Sequence, residues 1–408
     1  MATRLITGLD IGSTKLCATV AKVLRDGQVL LLGSAAIPCN ALKRGALSEM
    51  EVLVNGIRKL LLQLEQKTGV RITNCLFNIS GDHLKLQTNQ SAIFLSERGV
   101  EISQKDIERV TDSAQQIALG LDRQILHLTA VNFIVDGQEG VKNAKGIFGS
   151  QLGAQLLLLT AARNRIESLA KAVHQAGLAV EDVVYTGLAE GCSLLSEQER
   201  ELGIALVNIG GDVTDITLFF EGRWVDAQTI PFGGSDLTSS LVSSLAIPWH
   251  RAEELRKVYG GIPDGINHPE ERIRISLKGS SQEISRRELC ALLMPKLEDL
   301  LAQIQQVLNR SGHFPKLVCG IKLTGGVALT EGLIEHAERF FGTTVKLGLV
   351  QGEMGEESLP GGLFWAGSIG LVRYWVRGYT SRRDLAKEQY SLIARATSWA
   401  RTIYQDYF

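Results

Sequence analysis

An order of predicted elements that occurs twice along the chain constrains the fold more than any other feature. In the first copy, residues 5–9 and 15–23 have the composition of β-strands and are joined by the sequence Asp10-Ile11-Gly12-Ser13-Thr14. Residues 28–37 are predicted as a third strand, after the turn Asp26-Gly27. The chain is therefore expected to open with an antiparallel meander whose first hairpin carries a glycine.

The same order returns about two hundred residues later. Residues 204–209 and 215–220 are predicted strands on either side of the turn Gly210-Gly211-Asp212-Val213-Thr214, and residues 223–231 form the third strand. A helix follows from Gly233, with leucines at helical spacing. A duplicated unit of this kind predicts an α/β protein with two similar lobes.

The remaining segments complete the lobes and add a subdomain. Residues 84–160 contain their own predicted helix, 104–119, and predicted strands, 126–135 and 151–160, which indicates an insertion into the first lobe. The other predictions are helices over residues 49–67, 166–175, 187–195 and 286–309, a strand over 74–80 and a polar stretch over 259–282.

We divide the chain into five parts on this basis. The core of the first lobe is predicted over residues 1–83, completed by about 161–200 and 359–380, with the inserted subdomain at 84–160. The core of the second lobe is predicted over 201–240 and 300–358, with a smaller subdomain at 241–299, and residues 381–408 form a linker and a terminal helix.

Composition excludes several classes of protein. The 408 residues are 45% hydrophobic and carry a net charge of -1, so a large core is expected and no overall basic field favours nucleic acid. The six cysteines are scattered without a C-x-x-C pair, which is typical of buried thiols in a reducing compartment. No apolar run approaches the roughly 20 residues of a membrane span, so we expect a cytoplasmic body.

The first hairpin has the residues of a phosphate-binding loop. Glycine lets the backbone approach an oxygen, and turn N–H groups with small hydroxyls can point inward, as Gly12, Ser13, Thr14 and Lys15 allow. Asp10 is placed to orient waters around Mg2+. An ordinary type I′ turn is the better interpretation of any single D-x-G. The recurrence as Asn208-x-Gly210 in the same strand order favours two facing phosphate loops.

Two further groups are candidates for the nucleoside part of a ligand. Gly325, Gly326 and Val327 follow a predicted strand at 320–323 and precede a helix expected near Thr330, an arrangement suited to an adenosine and its first phosphate. A tight packing loop is an equally good interpretation. Glu253 and Arg256 share one helix face and could clasp a ribose, although such pairs are most often solvated ion pairs.

These four elements, in this order, resemble the actin, Hsp70 and sugar-kinase superfamily. Further segments are similar to the bacterial cell-division family FtsA: Ile79-Ser80-Gly81-Asp82-His83, the run I-V-D-G-Q-E-G-V-K-N-A-K-G-I-F-G at residues 134–149, and the run at residues 187–203. The resemblance implies an actin-like, ribonuclease H-like two-lobe fold with an inserted subdomain. It also implies ATP binding with Mg2+, head-to-tail filaments, tethering of FtsZ to the cytoplasmic face of the membrane at the division site, and recruitment of later division proteins through the insert.

The resemblance assigns site residues at matching positions. The phosphate loops are Asp10, Gly12, Ser13, Thr14 and Lys15 on one side and Gly210, Gly211 and Asp215 on the other, and Asp212 and Thr214 of the same turn are further candidates. The nucleoside contacts are Gly234, Glu253, Arg256, Gly325, Gly326 and Val327, and Asp10 and Asp215 reach the metal through water.

The second loop departs from the superfamily pattern. Asn208 stands where an aspartate is usual, Asp212 where a glycine is common, and Val213 where a phosphate-binding threonine is common. An amide cannot take a proton from water and holds the waters of Mg2+ less strongly than a carboxylate. We therefore expect nucleotide binding, with at most weak hydrolysis.

The C-terminal segment is predicted to bind membranes. Its apolar positions recur at spacings of three and four, which makes one stripe along a helix, and arginines lie toward the other side. Without context, such a stripe more often docks onto its own protein or a partner. Its place beyond a charged linker, and its resemblance to the family's membrane-targeting helix, favour the lipid interface. The predicted membrane residues are Leu392, Ile393, Ala396, Trp399, Ile403, Tyr407 and Phe408.

One other class of function fits the same scaffold. A small-molecule kinase would need a catalytic carboxylate facing an acceptor pocket, and no segment offers one convincingly. An Hsp70-like chaperone would need a β-domain after the core. Binding of lipid vesicles that depends on residues 381–408 would separate the filament-forming adaptor from the kinase.

Overall fold

A computed structural model describes residues 4–24, 28–116, 119–277, 280–351 and 362–385. The first lobe opens with β1 (Arg4–Ile11) and β2 (Lys15–Val23) as an antiparallel hairpin, followed by β3 (Val29–Pro38). The next elements are β4 (Leu42–Lys43), β5 (Ala46–Leu47), α1 (Met50–Thr68) and β6 (Asn74–Ile79). Helix α1 forms because Leu53, Ile57, Leu60 and Leu64 recur on one face, and all four are fully buried against the sheet.

The inserted subdomain is a four-stranded antiparallel sheet with one covering helix. Its elements are β7 (Lys85–Phe94), β8 (Val100–Glu101), α2 (Gln104–Gln115), β9 (Arg123–Val135), β10 (Gln138–Val141), β11 (Phe148–Gly149) and β12 (Gln151–Ala162). The strand order is β10-β9-β12-β7. Lys85 and Thr160 are register partners, so the insert leaves and rejoins the lobe at adjacent positions.

The chain then returns to the first lobe and crosses to the second. This stretch contains α3 (Arg163–Gln175), β13 (Ala179–Tyr185), α4 (Thr186–Leu194) and α5 (Glu197–Leu202). Strand β13 adds to β6 in parallel and completes a five-stranded sheet of order β13-β6-β1-β2-β3. Helix α4 is buried along nearly its whole length, and this position brings it beside both lobes.

The second lobe repeats this plan. Its elements are β14 (Ile204–Ile209), β15 (Thr214–Phe220), β16 (Arg223–Ile230), α6 (Gly234–Leu245), α7 (Trp249–Tyr259), β17 (Arg272–Leu277), β18 (Ser280–Ser285), α8 (Arg286–Arg310), β19 (Ile321–Thr324), α9 (Leu333–Phe341) and β20 (Val345–Leu347). Within the described ranges, short 3-10 helices cover Phe314–Lys316, Gly326–Leu329 and Gly362–Trp365, and the last of them leads into α10 (Ala366–Leu385).

The predicted duplication is confirmed in the strand order. The second sheet runs β16-β15-β14-β19-β20, with the first three strands antiparallel and the last two parallel. The first sheet, taken from its other edge, runs β3-β2-β1-β6-β13 with the same directions. Strand β1 therefore corresponds to β14, and β6 corresponds to β19.

A buried cluster joins the lobes. It contains Ile6 and Tyr185 from the first lobe, Leu206 and Phe219 from the second, and Leu371 from α10. Helix α10 packs on α4 and on β1, so the last helix of the described chain lies against the centre of the molecule. No helix within the described ranges is both long and apolar enough to cross a bilayer.

Several sequence predictions differ from the structure. The helix expected near Thr330 is preceded by the 3-10 helix Gly326–Leu329, and α9 begins only at Leu333. The polar stretch at 259–282 contains the strand β17 and the start of β18, while β7 and β13 were not anticipated. The predicted membrane helix falls within residues 386–408, outside the described ranges.

Candidate nucleotide cleft

The two predicted phosphate hairpins meet tip to tip. Each turn closes with the same backbone bond, from Gly12 N–H to the Lys15 carbonyl at 3.0 Å and from Gly210 N–H to the Val213 carbonyl at 2.9 Å. A methyl group built on Gly211 would lie 2.7 Å from Ser13 Oγ. The structure thus brings the first loop of one lobe into contact with the first loop of the other.

The second hairpin is fixed to the start of α6. The N–H groups of Gly234 and Ser235 donate to the carbonyls of Gly210 and Gly211 at 3.0 and 2.7 Å. The Asp212 carboxylate accepts from the Ser235 hydroxyl and, at 3.1 Å, from the Arg44 N–H of the first lobe. Asp212 therefore joins the turn to α6 and to the opposite lobe.

Thr214, which was also predicted to contact phosphate, has its hydroxyl engaged within the second lobe. It is fully buried, and its Oγ1 donates to the Phe232 carbonyl at 2.8 Å. This bond holds the first residue of β15 against the end of the β16 strand.

Asp10 lies at the end of β1, half-buried beneath α10. Its Oδ1 accepts from Asn78 Nδ2 at 2.7 Å, and a methyl group on Gly367 would lie 2.6 Å from its Oδ2, so only glycine fits against this carboxylate. Burial raises the pKa of the Asp10 carboxyl, while Lys15 and the Asn78 hydrogen bond act in the opposite direction. Lys15 donates to the Phe364 carbonyl, and its ammonium lies 3.6 Å from the centre of the Phe364 aromatic ring.

Asp215 joins the lobes on the floor of the cleft. Ser80 Oγ, at the end of β6, lies 2.6 Å from both carboxylate oxygens, and Thr229 Oγ1 donates at 2.6 Å. The residue is 2% exposed, and burial raises the pKa of its carboxyl to about 6 despite the hydroxyl donors. The Ser80–Asp215 bond crosses from the first lobe to the second.

Glu190 lies among the residues of the candidate cleft, although the sequence analysis does not select it. It lies on α4, is 6% exposed, and its Oε1 accepts from Asn208 Nδ2 at 2.9 Å. Burial, followed by the charges of Asp10 and Asp215, raises the pKa of Glu190 well above its usual value. A single carboxylate within the small and apolar sequence Gly187-Leu188-Ala189-Glu190-Gly191 is the signal that could have identified it.

The predicted nucleoside residues converge on the second lobe. Gly325 has a φ of 87°, and a side chain there would collide with the Ile209 carbonyl and Asn208 Oδ1, so glycine is required at this turn. A methyl group on Gly234 would lie 3.2 Å from Val327 and 3.3 Å from Arg256. A methyl group on Gly326 would meet no atom within 4 Å, which leaves space beside the turn.

The two charged members of this group have partners on the protein. Arg256 Nε donates to Thr238 Oγ1 at 2.9 Å, and burial lowers the pKa of its guanidinium, with Glu253 acting in the opposite direction. Glu253 forms an ion pair with Lys257 at 2.8 Å. Arg256 thus contacts the glycine turn of α6, while the carboxylate of Glu253 points along α7.

Comparison with protein-family models identifies two matches. The model described as the SHS2 domain inserted in FtsA matches residues 81–160, and the model described as cell division protein FtsA matches residues 205–361. The cell division protein FtsA of Pseudomonas aeruginosa is 33% identical over 373 residues, which is 91% of this chain and 89% of that protein. The chain belongs to the FtsA family. This membership places it among the proteins of bacterial cell division.

One further relative and two solved structures extend the comparison. The FtsA of Escherichia coli K12 is 29% identical over 412 residues, covering 98% of each chain. The PilM-PilN type IV pilus biogenesis complex contains a chain with a TM-score of 0.64 at 17% identity, covering 91% of this FtsA-family chain and 98% of that one. MreB5 of Spiroplasma citri bound to ADP gives a TM-score of 0.54 at 12% identity, covering 95% and 99%. These likenesses confirm the predicted actin-like two-lobe fold.

Proposed function

We propose that this FtsA-family chain binds ATP with Mg2+ between its lobes, forms filaments and tethers FtsZ to the cytoplasmic face of the membrane during division. The observation that carries the nucleotide part is the contact between the two glycine hairpins, Gly12 to Lys15 and Gly210 to Val213. Turns of this kind can direct backbone N–H groups toward a phosphate. MreB5, which shares the fold, has been solved with ADP and with AMPPNP.

The residues of the cleft fit a nucleotide and a hydrated magnesium ion. Ser13 and Thr14 offer hydroxyls at the tip of one hairpin, the space beside Gly326 admits a base, and Lys15 can exchange the Phe364 carbonyl for a phosphate oxygen. Mg2+ keeps several waters, which carboxylates such as Asp10 and Asp215 can hold. Within the described ranges, no three His, Cys, Asp or Glu side chains are grouped closely enough to ligate a metal directly.

When bound, Mg2+ would neutralise negative charge on the phosphates of the nucleotide. The chain itself orients the nucleotide, because the hairpins, the α6 start and the Gly325 turn belong to rigid elements. Asn208 donates a hydrogen bond where an acid is usual, and we therefore propose that turnover is slow and that the bound nucleotide sets the angle between the lobes. A fixed angle permits regular longitudinal contacts between copies.

Calorimetry tests the nucleotide proposal. We expect the chain to release or absorb heat on titration with ATP and Mg2+, and Asp10→Asn to weaken the affinity by about tenfold, since it removes a charge-assisted contact to the ion's waters. Asp299→Asn, an exposed acid paired with Lys296 on α8, is the matched control and should change nothing. No heat with the folded wild-type chain, or equal affinity for Asp10→Asn, would refute the proposal.

The membrane proposal rests on the amphipathic pattern of residues 392–408. Sedimentation with vesicles containing anionic lipid should carry the full chain but not a chain that ends at residue 385. Trp399→Asp should weaken binding because a charge at the apolar face opposes insertion, whereas Thr402→Asp on the polar side should have less effect. Equal sedimentation of the full and shortened chains would contradict the tether and leave the kinase alternative open.

A further inference from the structure

The ends of the two hairpin strands carry different members of an acid–amide pair, an acid in the first lobe and an amide in the second. In the first lobe, Asp10 on β1 accepts from Asn78, which lies on the neighbouring strand β6. In the second lobe, the equivalent strand β14 carries Asn208, and its register partner on β19 is Thr324. Thr324 is fully buried, and its hydroxyl has no hydrogen-bond partner among the described residues.

Asn208 obtains its carboxyl partner from a third element. Its amide donates to Glu190 Oε1 of α4 at 2.9 Å, and α4 packs beside β14, β15 and α10. An acid–amide pair therefore lies at the end of each hairpin strand, and at the second hairpin the acid is supplied by α4, which lies beside both lobes. An aspartate at 208 would place two carboxyls at hydrogen-bond distance, where both cannot ionise.

The other oxygen of Glu190 lacks a partner. Oε2 is buried and has no hydrogen bond within the described part of the chain, although the residue is only 6% exposed. Buried polar atoms nearly always have partners, so an unpaired carboxyl oxygen points to a bound water or ligand. Asp10 and Asp215 lie near enough for their charges to raise the pKa of Glu190, so this glutamate is close to both hairpin acids.

We propose that Glu190 takes the place of the missing acid of the second hairpin and holds a water of the magnesium ion bound with the nucleotide. The proposal rests on the proposed nucleotide function and adds a positioning residue to it. Asn208 orients Glu190 through its amide, as Asn78 orients Asp10. The departure at position 208 is then an exchange between two elements and not a loss of the acid.

Exchanging the acid and the amide between positions 190 and 208 tests this role of Glu190. Calorimetry would measure the ATP affinity of the wild type, Glu190→Gln, Asn208→Asp and the double variant, each with Mg2+ and with excess EDTA. The ratio of the two affinities isolates the contribution of magnesium. We expect Glu190→Gln to lower this ratio by about five- to tenfold while the affinity in EDTA stays within about twofold, because bound Mg2+ lowers the raised pKa of Glu190 and the variant then loses one charge-assisted bond.

The double variant returns the acid to the hairpin strand and the amide to the helix. We expect it to recover most of the magnesium ratio, and Asn208→Asp alone to lower the melting temperature through the added carboxyl. Glu197→Gln, an exposed glutamate at the start of α5, is the matched control. An unchanged ratio in Glu190→Gln, an equal loss with and without Mg2+, or a double variant no better than Glu190→Gln would each overturn the proposal. No ATP binding by the wild type would instead refute the nucleotide function.

Discussion

Replacing Gly211 by alanine tests whether the contact between the hairpins controls nucleotide binding. Gly211 is not among the residues with positive φ, so alanine is compatible with the local backbone. Its methyl group would lie 2.5 Å from Thr14 Cγ2 and 2.7 Å from Ser13 Oγ, whereas ordinary contacts begin at 3.4 Å. Either these two side chains must rotate out of the space between the hairpins or the hairpin tips must separate by roughly 1 Å, and overpacking of this kind costs ~1–3 kcal/mol.

The substitution therefore destabilises the closed arrangement of the lobes and has little effect on the stability of either lobe alone. Since each 1.4 kcal/mol is a factor of ten, the Kd for ATP should rise by ~5- to 150-fold, with a small change in melting temperature. Isothermal titration of Gly211→Ala with ATP and Mg2+ measures the effect. Gly378→Ala on α10 is the control, because its methyl would meet no atom within 4 Å. An ATP affinity for Gly211→Ala within twofold of the wild type would refute the reasoning.

Three further predictions concern bonds near the lobe boundary. The pKa of the Asp215 carboxyl is raised to about 6 from 3.8, so this group favours folding most below pH ~4, and its contribution to the free energy of unfolding falls by ~3 kcal/mol as the pH rises through 6. Urea denaturation at several pH values should show this loss in the wild type and not in Asp215→Asn. Parallel curves of stability against pH for the two proteins would contradict the prediction. The Arg44 guanidinium is half-exposed and forms an ion pair with Asp236 of the second lobe at 3.3 Å, so it should weakly stabilise the closed arrangement of the lobes. Arg44→Ala should therefore release a fluorescent ATP analogue ~2- to 5-fold faster, while Lys43→Ala should not change the release rate. Identical release rates would exclude this role for Arg44. Lys322 is 5% exposed and donates to the Leu194 carbonyl at 3.1 Å and to Glu199. Lys322→Met should therefore lower the free energy of unfolding by ~3 kcal/mol, whereas Lys316→Met, at an exposed position, should change it by less than ~0.5 kcal/mol. Similar losses in both variants would show that the buried pair contributes little.

The duplicated core could be predicted because its signals are local. The turns at residues 10–14 and 210–214 are marked by glycines and small polar residues between apolar strands, and the structure has hairpins at both. Helix α1 was predicted from its apolar spacing and ends within one residue of the expected position. The order of the remaining strands in the sheets needed long-range pairing, which no short pattern encodes.

The missed elements had weaker signals. Residues 272–275 alternate arginine and isoleucine, a strand pattern hidden within a stretch rich in charge and glycine. Strand β7 lies at the edge of its sheet and alternates between exposed and partly buried residues, with few large apolar side chains. Glu190 was missed because a helix of small apolar residues was interpreted as core, and only its three-dimensional neighbours, Asn208 and the two cleft acids, give it a role.

The pairing of Lys85 with Thr160 has a consequence for the history of this architecture. Residues paired across antiparallel strands lie about 5 Å apart, so the two ends of the SHS2 segment are close enough for a tight turn to join them in its absence. Gain, exchange or removal of such a module would leave the strands of the parent sheet in register. An ancestral two-lobed chain could thus have acquired a new contact surface in a single step, without redesigning its interior.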